Sequence, residues 1–68
     1  MTKETLERMP EHVRAKLESF RKAYHAENFP HWHYENARAR SAAYVDGLKD
    51  AGLISERERQ ILFVYTTA

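Results

Sequence analysis

The sequence has 68 residues, no cysteine, 43% hydrophobic residues, and 11 Lys and Arg against 10 Asp and Glu for a net charge of +1. A chain of this size forms one domain with a marginal core, so help from a partner is expected, and the missing thiols exclude disulfides, thiolate zinc sites and cysteine catalysis. Balanced charge argues against an electrostatic grip on nucleic acid, no window has the length and apolarity of a membrane span, and the aromatic content is too high for disorder.

Taken in order, residues Thr2 to Met9 can form a short lead-in turn, with Thr2 or Thr5 as a cap and Leu6 and Met9 on one side. Pro10 suits the first turn of the next helix, where a missing backbone N–H costs nothing. From there to about residue 26, Val13, Leu17, Phe20 and Tyr24 step by 4, 3 and 4. That spacing is one apolar stripe of an α-helix. Glu11 with Arg14, and Glu18 with Arg21 and Lys22, make its opposite side a solvated face.

Asn28-Phe29-Pro30 ends this helix, because the residue before proline is pushed away from helical geometry, and Asn28 can cap the next one. The second helix is expected from about 31 to 51, with an inward stripe of Tyr34, Ala37, Ser41, Tyr44, Leu48 and Ala51, widened by Val45. The small residues Ala37, Ala39, Ser41, Ala42 and Ala43 let another helix approach closely. Gly47 costs the helix about 1 kcal/mol against alanine, which points to something packing on that spot.

Gly52 is a natural helix stop. Ser55-Glu56-Arg57-Glu58 matches a capping box and opens a third helix from about 56 to 65 that turns Ile61, Leu62 and Tyr65 inward beside Ile54. Leu62-Phe63-Val64-Tyr65-Thr66-Thr67 is β-prone, so a short strand pairing with a partner is the alternative to the end of that helix. The fold expected is therefore all-α: a helical hairpin of two main helices, about 10–26 and 31–51, plus a short third.

The chemistry-bearing residues gather between the two main helices, in Tyr24-His25-Ala26-Glu27-Asn28-Phe29-Pro30-His31-Trp32-His33-Tyr34-Glu35. In a helix, His31 and His33 point to nearly opposite sides and cannot share an ion; in an extended segment they could. No metal site and no cofactor is expected. Catalysis needs a nucleophile held against a base in a pocket, and Ser41 lies on the core stripe, Ser55 caps a helix and Ser19 sits on a polar face. The chain is read as not an enzyme.

What remains is binding. Phe29, His31, Trp32, His33 and Tyr34, with Arg38 and Arg40 on the helix that follows, have the Trp-, Tyr- and Arg-rich composition of an interface hot spot. Phe20, Tyr24 and Tyr44 read as core. For Trp32 and its flanking histidines, core and interface stand level, and the direction in which Trp32 points decides between them.

Two resemblances bear on this. Residues Leu53-Ile54-Ser55-Glu56-Arg57-Glu58-Arg59-Gln60-Ile61-Leu62 resemble the opening helix of the DNA-binding domains of LuxR-type response regulators and of sigma-factor region 4. The likeness covers these ten residues and does not reach the element that reads DNA there. Residues Ala43 to Ser55 resemble segments of short helical accessory proteins of phages and plasmids, which implies a protein acting on a host or element-encoded partner.

The expectation is thus a soluble, cytoplasmic, non-catalytic protein-binding module, a homodimer and a small regulator or inhibitor. The alternatives are a helix-turn-helix-like DNA-binding regulator using Arg57 and Arg59 with Arg38 and Arg40, and an oligomer that responds through its histidines to pH or metal.

Overall fold

The computed structural model describes residues 1–68 and contains four helices and no strand: α1 (Thr2–Arg8), α2 (Glu11–His25), α3 (His31–Asp50) and α4 (Glu56–Thr67). The all-α hairpin with a following helix is as the periodicity predicts. The helix count differs by one, because α1 is a formed helix, and the last helix runs two residues past the expected end. No helix is long and apolar enough to cross a membrane.

The chain reverses at residues 26–30 and again at 51–55, so α2 and α4 run one way and α3 the other. Each of the three long helices packs against both others, and α1 lies against α4. On α2, Val13, Leu17 and Phe20 are buried, as their spacing requires. On α3 the buried residues are Ala37, Ser41, Val45 and Leu48; Tyr34 and Tyr44 are half-buried, and Ala51 is exposed. The inward stripe is therefore centred on Val45, one position from where the Tyr44 register placed it.

Met9, Val13, Leu17, Val45, Leu48, Ile54 and Leu62 form one aliphatic cluster. It sits where the start of α2, the end of α3 and the start of α4 converge, and Met9 brings α1 onto it. α1 is too short to persist alone in water. It is held by burial of Thr5 and Met9, by Arg8 pairing with Glu58, and by Thr5 Oγ1 donating to the Met1 carbonyl at 2.9 Å.

Beyond the aliphatic cluster comes a polar layer. Ser41 of α3 and Thr66 of α4 are buried and hydrogen-bonded to each other. Thr66 Oγ1 also donates to the Phe63 carbonyl at 2.8 Å, which uses its only proton. Ser41 is therefore the donor of the pair. The C-terminal segment is helix here, and Arg21 of α2 reaches the Tyr65 carbonyl and lies over the Tyr65 ring at 4.9 Å.

Local signals set the helix ends. Gly52 has φ 76°, and its N–H bonds the Lys49 carbonyl at 2.9 Å while the Leu53 N–H bonds the Leu48 carbonyl at 3.0 Å. This is the Schellman pattern, which needs the left-handed conformation that glycine adopts without a Cβ clash. The capping box is complete: Glu58 N–H donates to Ser55 Oγ at 3.1 Å, and Ser55 N–H to Glu58 Oε1 at 2.9 Å.

Two expectations are corrected. Asn28 is not the cap of α3; Pro30 occupies that position without a side-chain bond, and Asn28 takes φ 66° in the loop. Asparagine serves caps and left-handed turns for the same reason, a short side chain that bonds the local backbone, so the sequence does not separate the two roles. Gly47 is exposed, and a methyl added there would meet nothing within 4 Å. No part of the chain packs on it. Gly47→Ala is therefore expected to raise stability by about 0.5–1 kcal/mol, read as an upward shift in a thermal melt followed by circular dichroism. An unchanged or lower melting temperature would contradict this.

Candidate functional site

The elbow between α2 and α3 is held by side chains from the first turn of α3. Tyr34 Oη donates to the Ala26 carbonyl at 2.6 Å and accepts from the Phe29 N–H at 3.3 Å. His33 Nε2 lies 2.9 Å from the Ala23 carbonyl, so this nitrogen carries the proton. Phe29 stacks on the His33 ring with centroids 4.3 Å apart and planes 18° apart. Backbone groups that the end of α2 leaves open are thus satisfied from α3, and the reversal is fixed in one shape.

The sequence-predicted residues separate into two groups. His33 and Tyr34 are half-buried and hold the loop. Trp32 points outward with 67% of its surface exposed, and Phe29 is 51% exposed. His31 is also outward and meets Glu35 at 3.0 Å. The helical geometry thus sends His31 and His33 to different environments, and no three His, Asp and Glu side chains come together in an arrangement that could hold a metal ion.

Arg38 and Arg40 are both exposed. Arg38 lies over the Phe63 ring, 5.6 Å from its centroid, beside a groove of about 310 Å³ between α3 and α4 lined by Glu35, Ala39, Ala42 and Phe63. Phe63 is a residue that periodicity did not single out for this surface. Its place within the segment read as either helix or strand is the reason. The largest concavity, about 710 Å³, lies along the outer face of α2 and is walled mostly by charged side chains such as Glu11, Arg14, Glu18 and Lys22. It is open to solvent.

The basic residues at the start of α4 are already engaged. Arg59 binds Glu56 at 2.6 Å and Asp46 at 3.4 Å, and Lys49 binds Glu56 at 2.9 Å. Hydrogen bonds from Arg59 and then Lys49 hold the Glu56 carboxyl well below the usual carboxylate range, and Glu56 in turn raises Arg59. Arg57 extends toward Met1, with its guanidinium 3.2 Å from the thioether sulfur. Together with Glu56 and Glu58 in the same turn, this leaves little net positive charge to offer a phosphate backbone.

Comparison with family models, with characterised proteins and with solved structures gives no match to this chain.

Proposed function

We propose that the chain is a non-catalytic protein-binding module, a small cytoplasmic regulator or inhibitor that self-associates and binds a host or mobile-element protein through its elbow. The observation that carries this reading is the outward Trp32 beside Phe29 on a loop that Tyr34 and His33 hold rigid. A large aromatic on a preorganised support loses little conformational entropy on binding, which is why tryptophan dominates interface hot spots. Phe29, Trp32 and His31 make the contact, Arg38 and Arg40 supply polar anchors, and His33 and Tyr34 position the others. The likeness of residues 43–55 to phage and plasmid accessory proteins supports the class of partner. The engaged arginines of α4 favour protein over DNA.

The test is Trp32→Ala in affinity capture from the native cell, followed by titration of the captured protein. Binding is expected to weaken at least tenfold while the helical circular dichroism persists, because the side chain is exposed and contributes little to the core. Loss of helicity, or capture that does not depend on Trp32, would overturn the assignment. A gel shift that weakens steeply as salt rises would instead favour the DNA reading.

A further inference from the structure

α4 packs against α2 and α3 on one side of the seam between them, where Arg21 reaches Tyr65 and Arg38 lies over Phe63. On the other side Lys16 and Ser19 of α2 and His33, Asn36 and Arg40 of α3 line a cleft of about 180 Å³. The bond between His33 Nε2 and the Ala23 carbonyl fixes the register of the two antiparallel helices. Lys16 lies seven residues before Ala23 and Arg40 seven after His33, which is about two helical turns in each case. The two cations therefore stand level with each other on the two banks of the cleft.

Neither cation forms an ion pair within the chain, and no carboxylate lines the cleft. Glu11 and Glu18 face the outer side of α2, Glu35 meets His31 on the α4 side of α3, and Asp46 pairs with Arg59 of α4. Glu4 and Glu7 belong to α1, which lies against α4. Glu27 is eleven residues from Lys16 and Asp50 is ten from Arg40, each about 15 Å along the axis and beyond a screening length of about 8 Å. Two like charges facing each other repel, and an anion placed between them relieves the repulsion. We propose that this cleft seats carboxylates of an acidic segment in the protein that the elbow binds. The proposal rests on the reading of the chain as a protein-binding module and gives the chemistry of its partner.

The cleft is continuous with the elbow. Trp32, Asn36 and Arg40 follow at steps of four along α3 and are all exposed, and Phe29 stacks on His33, which lines the cleft. A segment that covers Trp32 and runs on along the seam reaches Arg40 after about 12 Å, passing Asn36 and Ser19 as further hydrogen-bond donors. A nucleic acid fits less well, since its phosphates recur along the strand and ask for a track of cations. Here the row ends with one pair: Arg14 and Lys22 line the outer face of α2, and Arg21 and Arg38 are turned to α4.

The test is a nuclear magnetic resonance titration of the isotope-labelled chain with three probes: a hexapeptide of one leucine and five glutamates, its counterpart with lysine in place of glutamate, and a six-nucleotide oligothymidylate. The glutamate peptide is expected to shift the amides of Ser19, Asn36 and Arg40. Arg40→Glu is expected to weaken this binding at least tenfold with unchanged circular dichroism, and adding Lys16→Glu to turn the preference to the lysine peptide. Arg14→Glu, the same change in charge on the outer face, is expected to alter it less than twofold. The inference is overturned by absent shifts at millimolar peptide, by an equal response to the lysine peptide or the oligothymidylate, or by an Arg14→Glu as damaging as Arg40→Glu. Cleft shifts that appear on concentrating the protein alone place a second copy there and overturn it too. Partner capture that depends on Trp32 but not on Arg40 removes the acidic seat and keeps the elbow. Glutamate-peptide binding in the cleft with capture that ignores Trp32 keeps the seat and removes the elbow.

Discussion

Leu62→Ala is expected to lower the unfolding free energy by about 2–5 kcal/mol, enough to leave a large fraction of the chain unfolded at 37 °C. Leu62 has no solvent exposure and lies in the aliphatic cluster with Leu17 and Val45, where α2, α3 and α4 meet. The loss combines the transfer free energy of the deleted carbons with a cavity that the surrounding helices cannot fully close. A domain of this length has roughly 3–10 kcal/mol in total at about 0.05–0.15 kcal/mol per residue, so one such cavity consumes a large share. Urea unfolding followed at 222 nm measures it. A change below about 1 kcal/mol would mean that the core lies elsewhere. Val64→Ala, two residues on and 56% exposed, is the control and is expected to change little.

The second large effect concerns the hydroxyl layer. Thr66→Val keeps the shape of the side chain but removes the acceptor for Ser41 Oγ, leaving a buried donor without its partner at a cost of about 1–3 kcal/mol. The Phe63 carbonyl does not add to this cost, because Thr67 Oγ1 also donates to it at 2.9 Å. Ser41→Ala is expected to cost less than Thr66→Val, since Thr66 keeps its bond to Phe63 and loses only a donor to its lone pair. In the Thr66→Val background, adding Ser41→Ala removes the orphaned hydroxyl and is expected to recover part of the stability. A double-mutant cycle reads the coupling. Additive losses would mean that the two hydroxyls are not coupled, and a costlier Ser41→Ala would reverse the direction assigned to the hydrogen bond.

The parts of the fold legible in the sequence are those governed by residues close together in it. Ser55 and Glu58 specify a capping box within four residues, Gly52 marks a stop that the backbone needs to be left-handed, and Val13, Leu17 and Phe20 repeat with the helix. The parts not legible depend on residues far apart. Thr66 is a polar residue in a helix tail, and nothing local says that it is buried, because the reason is Ser41 on another helix. α1 is too short to show periodicity, and its formation depends on surface that α4 supplies. The candidate site was legible as a cluster but not in its division of labour. Tyr34 and Trp32 are two positions apart with similar composition signals, yet one holds the loop and the other faces solvent, and only the rotation of α3 on α2 decides which.

The docking of α1 on α4 bears on the order in which the chain assembles. Contacts between α2 and α3 and between α3 and α4 join neighbours in the sequence, so each closes a short loop at low entropic cost and can form quickly. The pairing of Arg8 with Glu58 joins the two ends of the chain, and the surface that receives α1 does not exist until α4 has turned back along α3. α1 is therefore the last helix to dock and the first to leave. Its release uncovers Met9's place in the aliphatic cluster while the three-helix frame and the elbow at the far end stay assembled.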